Sequence, residues 1–251
     1  MPNAKKLKIP DGNGNLVSYP IKDPENRRAP RDITSDLSNL STAIAAQDLG
    51  LYGYAIGDYF TGASGYKYTL ADRDTFYGGY SSYSVLNTHH ITIVVDTKTN
   101  VKWNDTASTA TGYVGSNLHS YLVNTALPNI KSDLNTLFGS WSSHLLSHSK
   151  LYSTGTEAWS WSSEQYISAL TSVQQHGAAI CDMNFYHTGE GNKPLEVFQK
   201  FFYPQIYGNH STWLRSVASA SCPAGADSYG YADGGSGATY ESGAVGLIIF
   251  H

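Results

Sequence analysis

Trp213-Leu214-Arg215-Ser216 opens, and Ala244-Val245-Gly246-Leu247-Ile248-Ile249-Phe250 closes, the stretch whose reading decides this chain. Between these anchors, Val217 to Tyr240 is built only from Ala, Ser, Gly, Asp, Tyr, Thr, Val, Cys and Pro. Not one Lys, Glu, Gln, Met, Trp or Leu occurs there. Physically this is the alphabet of adaptable binding loops: Tyr gives rigid amphipathic contact area, and Ser, Gly and Asp give hydrogen bonding. Genetically, each of these residues is reached from an Asn codon by changing only its first two bases. Adenine-directed mutagenesis of a run of Asn codons leaves such a set behind. A Gly/Ser-rich surface loop has a similar composition, but a linker is not pinned between a Trp-Leu-Arg-Ser anchor and a closing apolar strand. Residues 213–251 are therefore read as a variable segment. Its contact positions are expected among Val217, Ala218, Ser219, Ser221, Ala226, Asp227, Tyr229, Tyr231, Asp233, Gly237, Thr239 and Tyr240. These side chains are expected to be exposed on one face, with Trp213, Leu214 and Ile248 buried.

A chain of 251 residues buries a substantial core as one large domain, or as one domain with a small appendage. Charge is sparse, with 36 charged residues against 19 tyrosines, which suggests a β-rich or loop-rich protein with a polar aromatic surface. The net charge of −4 argues against nucleic acid as the main partner. Positive charge gathers at Lys5, Lys6, Lys8, Lys22, Arg27, Arg28 and Arg31, but Asp11, Asp23 and Glu25 are interspersed. This reads as a solvated or docking arm. No apolar run is long enough for a bilayer span, and no apolar stretch follows the early basic residues as a secretory signal would require. The two cysteines, Cys181 and Cys222, make no disulfide framework. Synthesis in the cytoplasm with release other than by secretion fits these facts.

Residues 1–32 carry turn signals at Asp11-Gly12 and Asn13-Gly14 and the prolines Pro20, Pro24 and Pro30, and read as an extended arm with room for a small hairpin. Asp32 is placed to cap a helix through about Gln47. Its apolar residues Ile33, Leu37, Leu40 and Ile44 are spaced 4, 3, 4, which is heptad spacing. So short a helix needs packing, on its own domain or against copies of itself. The stripe is expected to meet symmetry mates, most simply in a trimer. Residues 1–50 are thus an attachment and oligomerisation arm, and 51–251 a ligand-binding domain. Alternation over Tyr52–Phe60 predicts a strand, and His90–Asp96 a central one. Ser116 caps a helical stretch with Leu118, Tyr121, Leu122 and Leu127, which Pro128 interrupts and Ile130, Leu134 and Leu137 continue. Ser163–Gln175 is a second helix candidate. Strands and helices do not alternate regularly, so α+β is the expected class.

Most candidate chemistry fails on inspection. His144 and His148 stand at i and i+4, but His-Leu-Leu-Ser-His lacks the general-base Glu of the zinc protease motif. His89 and His90 would point to opposite faces of a strand. Asp11-Gly12-Asn13-Gly14-Asn15 resembles a calcium loop, but Leu16 and Lys22 stand where Gly and a bidentate Glu are needed. Glu157 and Glu164, with several Asp, offer a glycosidase pair that nothing in the sequence singles out. No nucleophile elbow or phosphate loop is present. No metal, cofactor or catalytic residue is expected.

With these residues in hand, the chain resembles two overlapping groups. One is a family of C-type-lectin-like domains in phages and gut bacteria. The matching features are Gly57-Asp58 in a strand, His90-Ile91, Lys102-Trp103-Asn104, Ser116 to Leu118 opening a helix, and Trp213 to Ser216 near the end. The other is the variable proteins of diversity-generating retroelements, including phage tropism determinants. The resemblance covers about residues 51–251. The family usually ends Gly-Val-Arg-Pro, whereas this chain reads Gly243-Ala244-Val245-Gly246-Leu247. The resemblance implies a C-type-lectin-like fold whose last strand closes the core and whose C-terminal segment is diversified to change the target. It implies a phage-tail receptor-binding protein, a virion component, or else a protein of the bacterial cell surface. The implied partner is a bacterial cell-surface protein or glycan, met by a homo-oligomer with neither nucleic-acid binding nor membrane insertion. The alternatives are a structural tail or baseplate subunit without its own ligand and a phage-associated glycan-acting enzyme.

Overall fold

β-Branched content decides where the longest strand pair forms. Ile91–Lys102 (β5) opens Ile-Thr-Ile-Val-Val, and Glu241–Phe250 (β12) runs through Val245, Ile248 and Ile249. They pair antiparallel from Glu241 opposite Lys102 to Phe250 opposite Ile91, with a bulge between Gly243 and Val245. A computed structural model describes residues 6–10, 16–20, 29–78, 86–155, 158–176, 194–201 and 203–251. On one side of this pair lie β4 (Lys67–Arg73) and β3 (Tyr59–Thr61). On the other lie β9 (Thr212–Val217), β10 (Pro223–Ala226) and β11 (Ala232–Asp233). The order is β11-β10-β9-β12-β5-β4-β3, with β6 (Leu145–Leu146) pairing the far end of β12. Among the paired strands of the described residues, β9–β12 is parallel and the others are antiparallel. A separate hairpin joins β7 (His148–Gly155) and β8 (Ala158–Gln165), and another joins β1 (Lys6–Pro10) and β2 (Leu16–Pro20). Helices with a mixed, many-stranded sheet make the chain α+β.

The helical rod forms where the caps allow it. Ser116 Oγ accepts the His119 N–H at 3.1 Å and opens α2 (Asn117–Tyr121). Pro128 does not end the rod. A π-helical turn over Leu122–Ala126 precedes it, and Pro128 falls at the start of α3 (Leu127–Phe138), where its missing N–H costs little. Leu118, Leu122, Ala126, Ile130 and Leu134 form the buried stripe. Asp133 on the same rod accepts from the Ser64 N–H at 3.0 Å and from the Tyr68 hydroxyl at 2.7 Å. Burial, aided by that carboxylate, pushes the Tyr68 phenol pKa up.

Several expectations need correction. The helix expected over Asp32–Gln47 is only α1 (Leu40–Ala45). Asp32 instead bridges to Tyr59 and accepts the Thr34 N–H at 2.9 Å, an Asx turn that competes with helix. The heptad stripe does not await a symmetry mate: Ile33, Leu37, Leu40 and Ile44 are all buried within this chain's own hydrophobic core. The strand expected over Tyr52–Phe60 shrinks to Tyr59–Thr61, because Gly53 and Gly57 turn the chain with positive φ. Gly57-Asp58 therefore lies in a turn before β3, where Asp58 is buried and accepts the Ala55 N–H. The helix expected over Ser163–Gln175 is β8 to Gln165, then an extended passage, then α4 (Ser172–His176). Ser168 is held by both of its backbone bonds to Leu247, so sheet pairing overrides the 3.6-residue pattern.

Candidate binding surface

The variable segment is built on a strand that is held from both sides. All six residues of β9 are buried. Trp213 donates its indole N–H to Val101 O at 2.8 Å, and Trp103 donates to Leu214 O at 3.2 Å. Arg215 is fully buried and donates to Leu151 O, Ser168 Oγ and Ala169 O at 2.7, 2.9 and 2.6 Å. This one side chain ties β9 to β7 and to the extended passage before α4. Trp213, Leu214 and Ile248 are buried, so the anchors lie in the core.

From this base the chain makes three turns. At residues 218–222, Ala218 and Ser219 donate backbone N–H groups to Cys222 O, both at 2.9 Å. The hairpin joining β10 and β11 is organised by Asp227, whose carboxylate accepts the N–H groups of Tyr229 and Tyr231, each at 2.9 Å. Gly230 there has φ +87°, and a Cβ would stand 2.3 Å from Tyr203 Cβ, so only glycine fits. Burial raises the Tyr203 phenol pKa, and its hydroxyl donates to Thr212 Oγ1 at 2.7 Å, fixing the ring beneath the hairpin. In the 234–240 connection, Asp233 accepts from the Gly235 N–H and the Ser236 hydroxyl, and the Tyr240 N–H donates to Gly237 O. Ala238 N donates to Ser221 O, which sets this connection against the first turn.

The predicted positions divide accordingly. Tyr229, Tyr231 and Tyr240 are 72, 72 and 66% exposed, three of the most exposed large hydrophobic side chains among the described residues. Ser221 and Thr239 are also exposed; Ala218, Ser219, Asp227, Asp233 and Gly237 are half-buried. Val217 and Ala226 are corrections: both lie in fully buried strands, at 0 and 1% exposure, and are not the exposed side chains expected. The positions also do not gather at one spot. The 218–222 turn and the 234–240 connection lie at one end of β10, and the 227–231 hairpin at the other. A four-residue strand separates them by roughly 13 Å.

One neighbouring loop was not visible in the alphabet. Thr109 donates its N–H to Ala220 O at 2.9 Å and its hydroxyl to Ser219 O at 2.6 Å, and Asn104 N donates to Ala238 O at 2.8 Å. Exposed Asp105, Thr106, Ala107 and Ala110 therefore border the variable turns. Their Thr/Ala/Ser-rich composition is the only signal the sequence offers. Trp103 and Asn104 serve packing: Trp103 is fully buried, and Asn104 Nδ2 donates to Ser108 O.

Other candidates are placed as follows. His144 and His148 do not share a helix face; the chain between them is β6, and His144 stacks on Phe250. Among the described residues, no group of three or more His, Cys, Asp or Glu side chains is arranged to hold a metal. Cys222 is a free, half-buried thiol. Cys181, Glu157 and the Asp11–Asn15 run lie outside the described residues. No helix among the described residues is long and apolar enough to cross a membrane. A cleft of about 700 Å³, including its open mouth, lies between α1 and the adjoining ends of β4 and β5. Its lining among the described residues includes Gln47, Asp72, Arg73, Asp74, His90 and Glu196. Comparisons with protein-family models, curated proteins and solved structures found no match.

Proposed function

We propose that this is a target-binding display protein, of the kind carried on a phage tail, with a C-type-lectin-like fold and a diversified C-terminal surface. One observation carries the reading. Tyr229, Tyr231 and Tyr240 project from turns of the restricted-alphabet segment, while β9, β10 and β12 beyond Glu241 are buried. Exposed Tyr supplies contact area at low entropic cost. The internal bonds of Asp227 and Asp233 hold the turns without help from the tyrosine side chains. Such an arrangement lets surface residues change while the scaffold stays folded. The order of the Lys102-Trp103-Asn104, Ser116 and Trp213 to Ser216 motifs supports the lectin-like and retroelement assignment. The partner under this reading is a bacterial cell-surface protein or glycan.

Oligomerisation remains part of the proposal as a route to avidity, but α1 no longer serves as its element, since its apolar face is spent within the chain. DNA sequence around the coding region tests the diversification claim. The reading expects a reverse transcriptase gene and a near-copy of the 3′ end with Asn codons at variable positions such as Tyr229, Tyr231 and Tyr240. A locus with neither removes the retroelement from the account.

A further inference from the structure

The ladder between β4 and β5 slips by one residue between Leu70 and Asp72, and Asp74 then turns the chain with φ 51°. Three consecutive charged residues, Asp72, Arg73 and Asp74, thereby border one cleft, where a regular strand would send neighbours to opposite faces. This is the cleft beside α1, and α5 (Glu196–Lys200) adds Glu196 to its wall. Its floor is the buried side chains of Ala43, Ile44, Leu49 and Ile91, and the surface that meets solvent is mainly polar. The polar groups are held in place. Asp74 Oδ1 accepts the His90 N–H at 2.8 Å, and Asp74 Oδ2 accepts from His89 Nδ1 at 3.0 Å. His89 Nε2 in turn accepts from Gln47 Nε2. The Arg73 N–H donates to Asp72 Oδ1 at 2.8 Å. Two groups keep capacity for a ligand. The Arg73 guanidinium makes no hydrogen bond among the described residues, and its ion pair with Glu196 spans 3.8 Å. Gln47 Oε1 is likewise without a hydrogen bond among them.

An apolar ligand does not match such a wall. A simple anion meets Asp72, Asp74 and Glu196, and a simple cation meets Arg73. Hydroxyl groups suit both, since each donates to a carboxylate and accepts from a guanidinium. The acceptors stand on α1, β4 and α5, so the matching ligand carries hydroxyls around its rim. An amino acid carries its donors at a single ammonium. A cavity volume of about 280 Å³ lies at the small end of ligand pockets and leaves room for a single sugar ring rather than a chain. We propose that this cleft binds one neutral pyranose unit of a glycan. The site lies away from the variable turns: Ile91 in its floor opens β5, and Lys102, opposite Glu241, ends that strand roughly 35 Å away. It goes beyond the display reading and does not depend on it, because none of its residues belongs to the variable segment.

The test is titration of the full chain, labelled for NMR, with the methyl glycosides of glucose, galactose, mannose and N-acetylglucosamine. Glycine and putrescine serve as the zwitterionic and cationic alternatives. Saturable shifts are expected at the amides of Gln47, Arg73, Asp74 and Ile91 with at least one glycoside, and not with glycine or putrescine. Binding of a neutral sugar should change little as salt is raised. Arg73→Gln, at an exposed position, should weaken it by roughly tenfold, as loss of a hydrogen bond from a charged group does. Gln47→Asn is a second variant: Asn tolerates the φ of 54° there but shortens the side chain. Tyr229→Ala/Tyr231→Ala/Tyr240→Ala should leave glycoside binding unchanged. No saturable shift with any of the four glycosides, a stronger response to glycine or putrescine, or binding untouched by both Arg73→Gln and Gln47→Asn overturns the proposal. Loss of glycoside binding in the folded triple-tyrosine variant overturns it as well. A protein that binds cells through its tyrosines while the cleft ignores every glycoside overturns this inference alone and leaves the display reading standing.

Discussion

Trp103 and Trp213 exchange hydrogen bonds across the sheet: each indole donates to the backbone beside the other, Trp103 to Leu214 O and Trp213 to Val101 O. Trp213 sits on β9 and Val101 on β5, with β12 between them in the strand order. The two rings therefore clasp the strands on which the variable turns are mounted. Trp213→Ala should cost roughly 3–5 kcal/mol as a core aromatic truncation. Tyr229→Ala or Tyr231→Ala should stay within about 0.5 kcal/mol, as surface changes do. Urea unfolding measures both, and equal losses at Trp213 and the tyrosines would argue against a display surface.

Arg215 gives the second prediction. Its guanidinium is enclosed and bonded to two carbonyls and a hydroxyl. Arg215→Ala leaves those acceptors buried without these donors, at about 1–3 kcal/mol for each unsatisfied group. A loss of at least about 3 kcal/mol is expected, and Arg215→Lys should recover only part of it, since an ammonium cannot reproduce the fork. Full stability in Arg215→Ala would show that β9 is held by its neighbours alone.

The third prediction concerns Ile33, Leu37, Leu40 and Ile44. Because they belong to the main core, Leu40→Ala should destabilise the fold by roughly 2–5 kcal/mol. Light scattering should find the mass of the folded variant unchanged. A variant of native stability that changed only its oligomeric state would restore the heptad stripe as an assembly element.

What the sequence could and could not reveal follows from physics at particular residues. β5 and β12 were legible from their β-branched runs, and Ser116 from its capping chemistry. The heptad stripe was a true buried face, but spacing alone cannot say whether the covering surface is the same chain or a copy. Tyr52–Phe60 alternates, yet positive φ at Gly53 and Gly57 breaks the strand. Val217 and Ala226 failed for a different reason. β9 and β10 are buried along their whole length, so no alternation distinguishes inward from outward residues. The restricted alphabet marks a segment and says nothing about which members of it face solvent. Arg215 was visible as part of the anchor, but its bonds to Leu151, Ser168 and Ala169 join positions the sequence leaves far apart.

A fourth prediction is a pH dependence. Burial holds the His90, His119 and His176 imidazoles below their usual pKa, with only partial offsets from the Thr88 carbonyl at His90 and the Gly225 carbonyl at His176. Each folded pKa lies below the unfolded value of about 6.5. As pH falls below that value the unfolded chain takes up protons first, so stability present at neutral pH is lost on acidification. The melting temperature should drop between about pH 7 and pH 5. His119 packs edge-on to Tyr113, and its buried Nδ1 has no hydrogen-bond partner among the described residues, so His119→Phe keeps the ring and should flatten the dependence. An unchanged slope in His119→Phe would show that other groups set it.

The display claim itself is tested most directly by binding of the labelled full chain to a panel of bacterial strains. The wild type and a Tyr229→Ala/Tyr231→Ala/Tyr240→Ala variant are compared at matched concentration, with melting temperatures recorded for both. The account predicts that the variant keeps its melting temperature to within a few degrees, about what 1 kcal/mol is worth in a chain of this size, and loses binding to every strain the wild type recognises. Undiminished binding by a folded triple variant would contradict it.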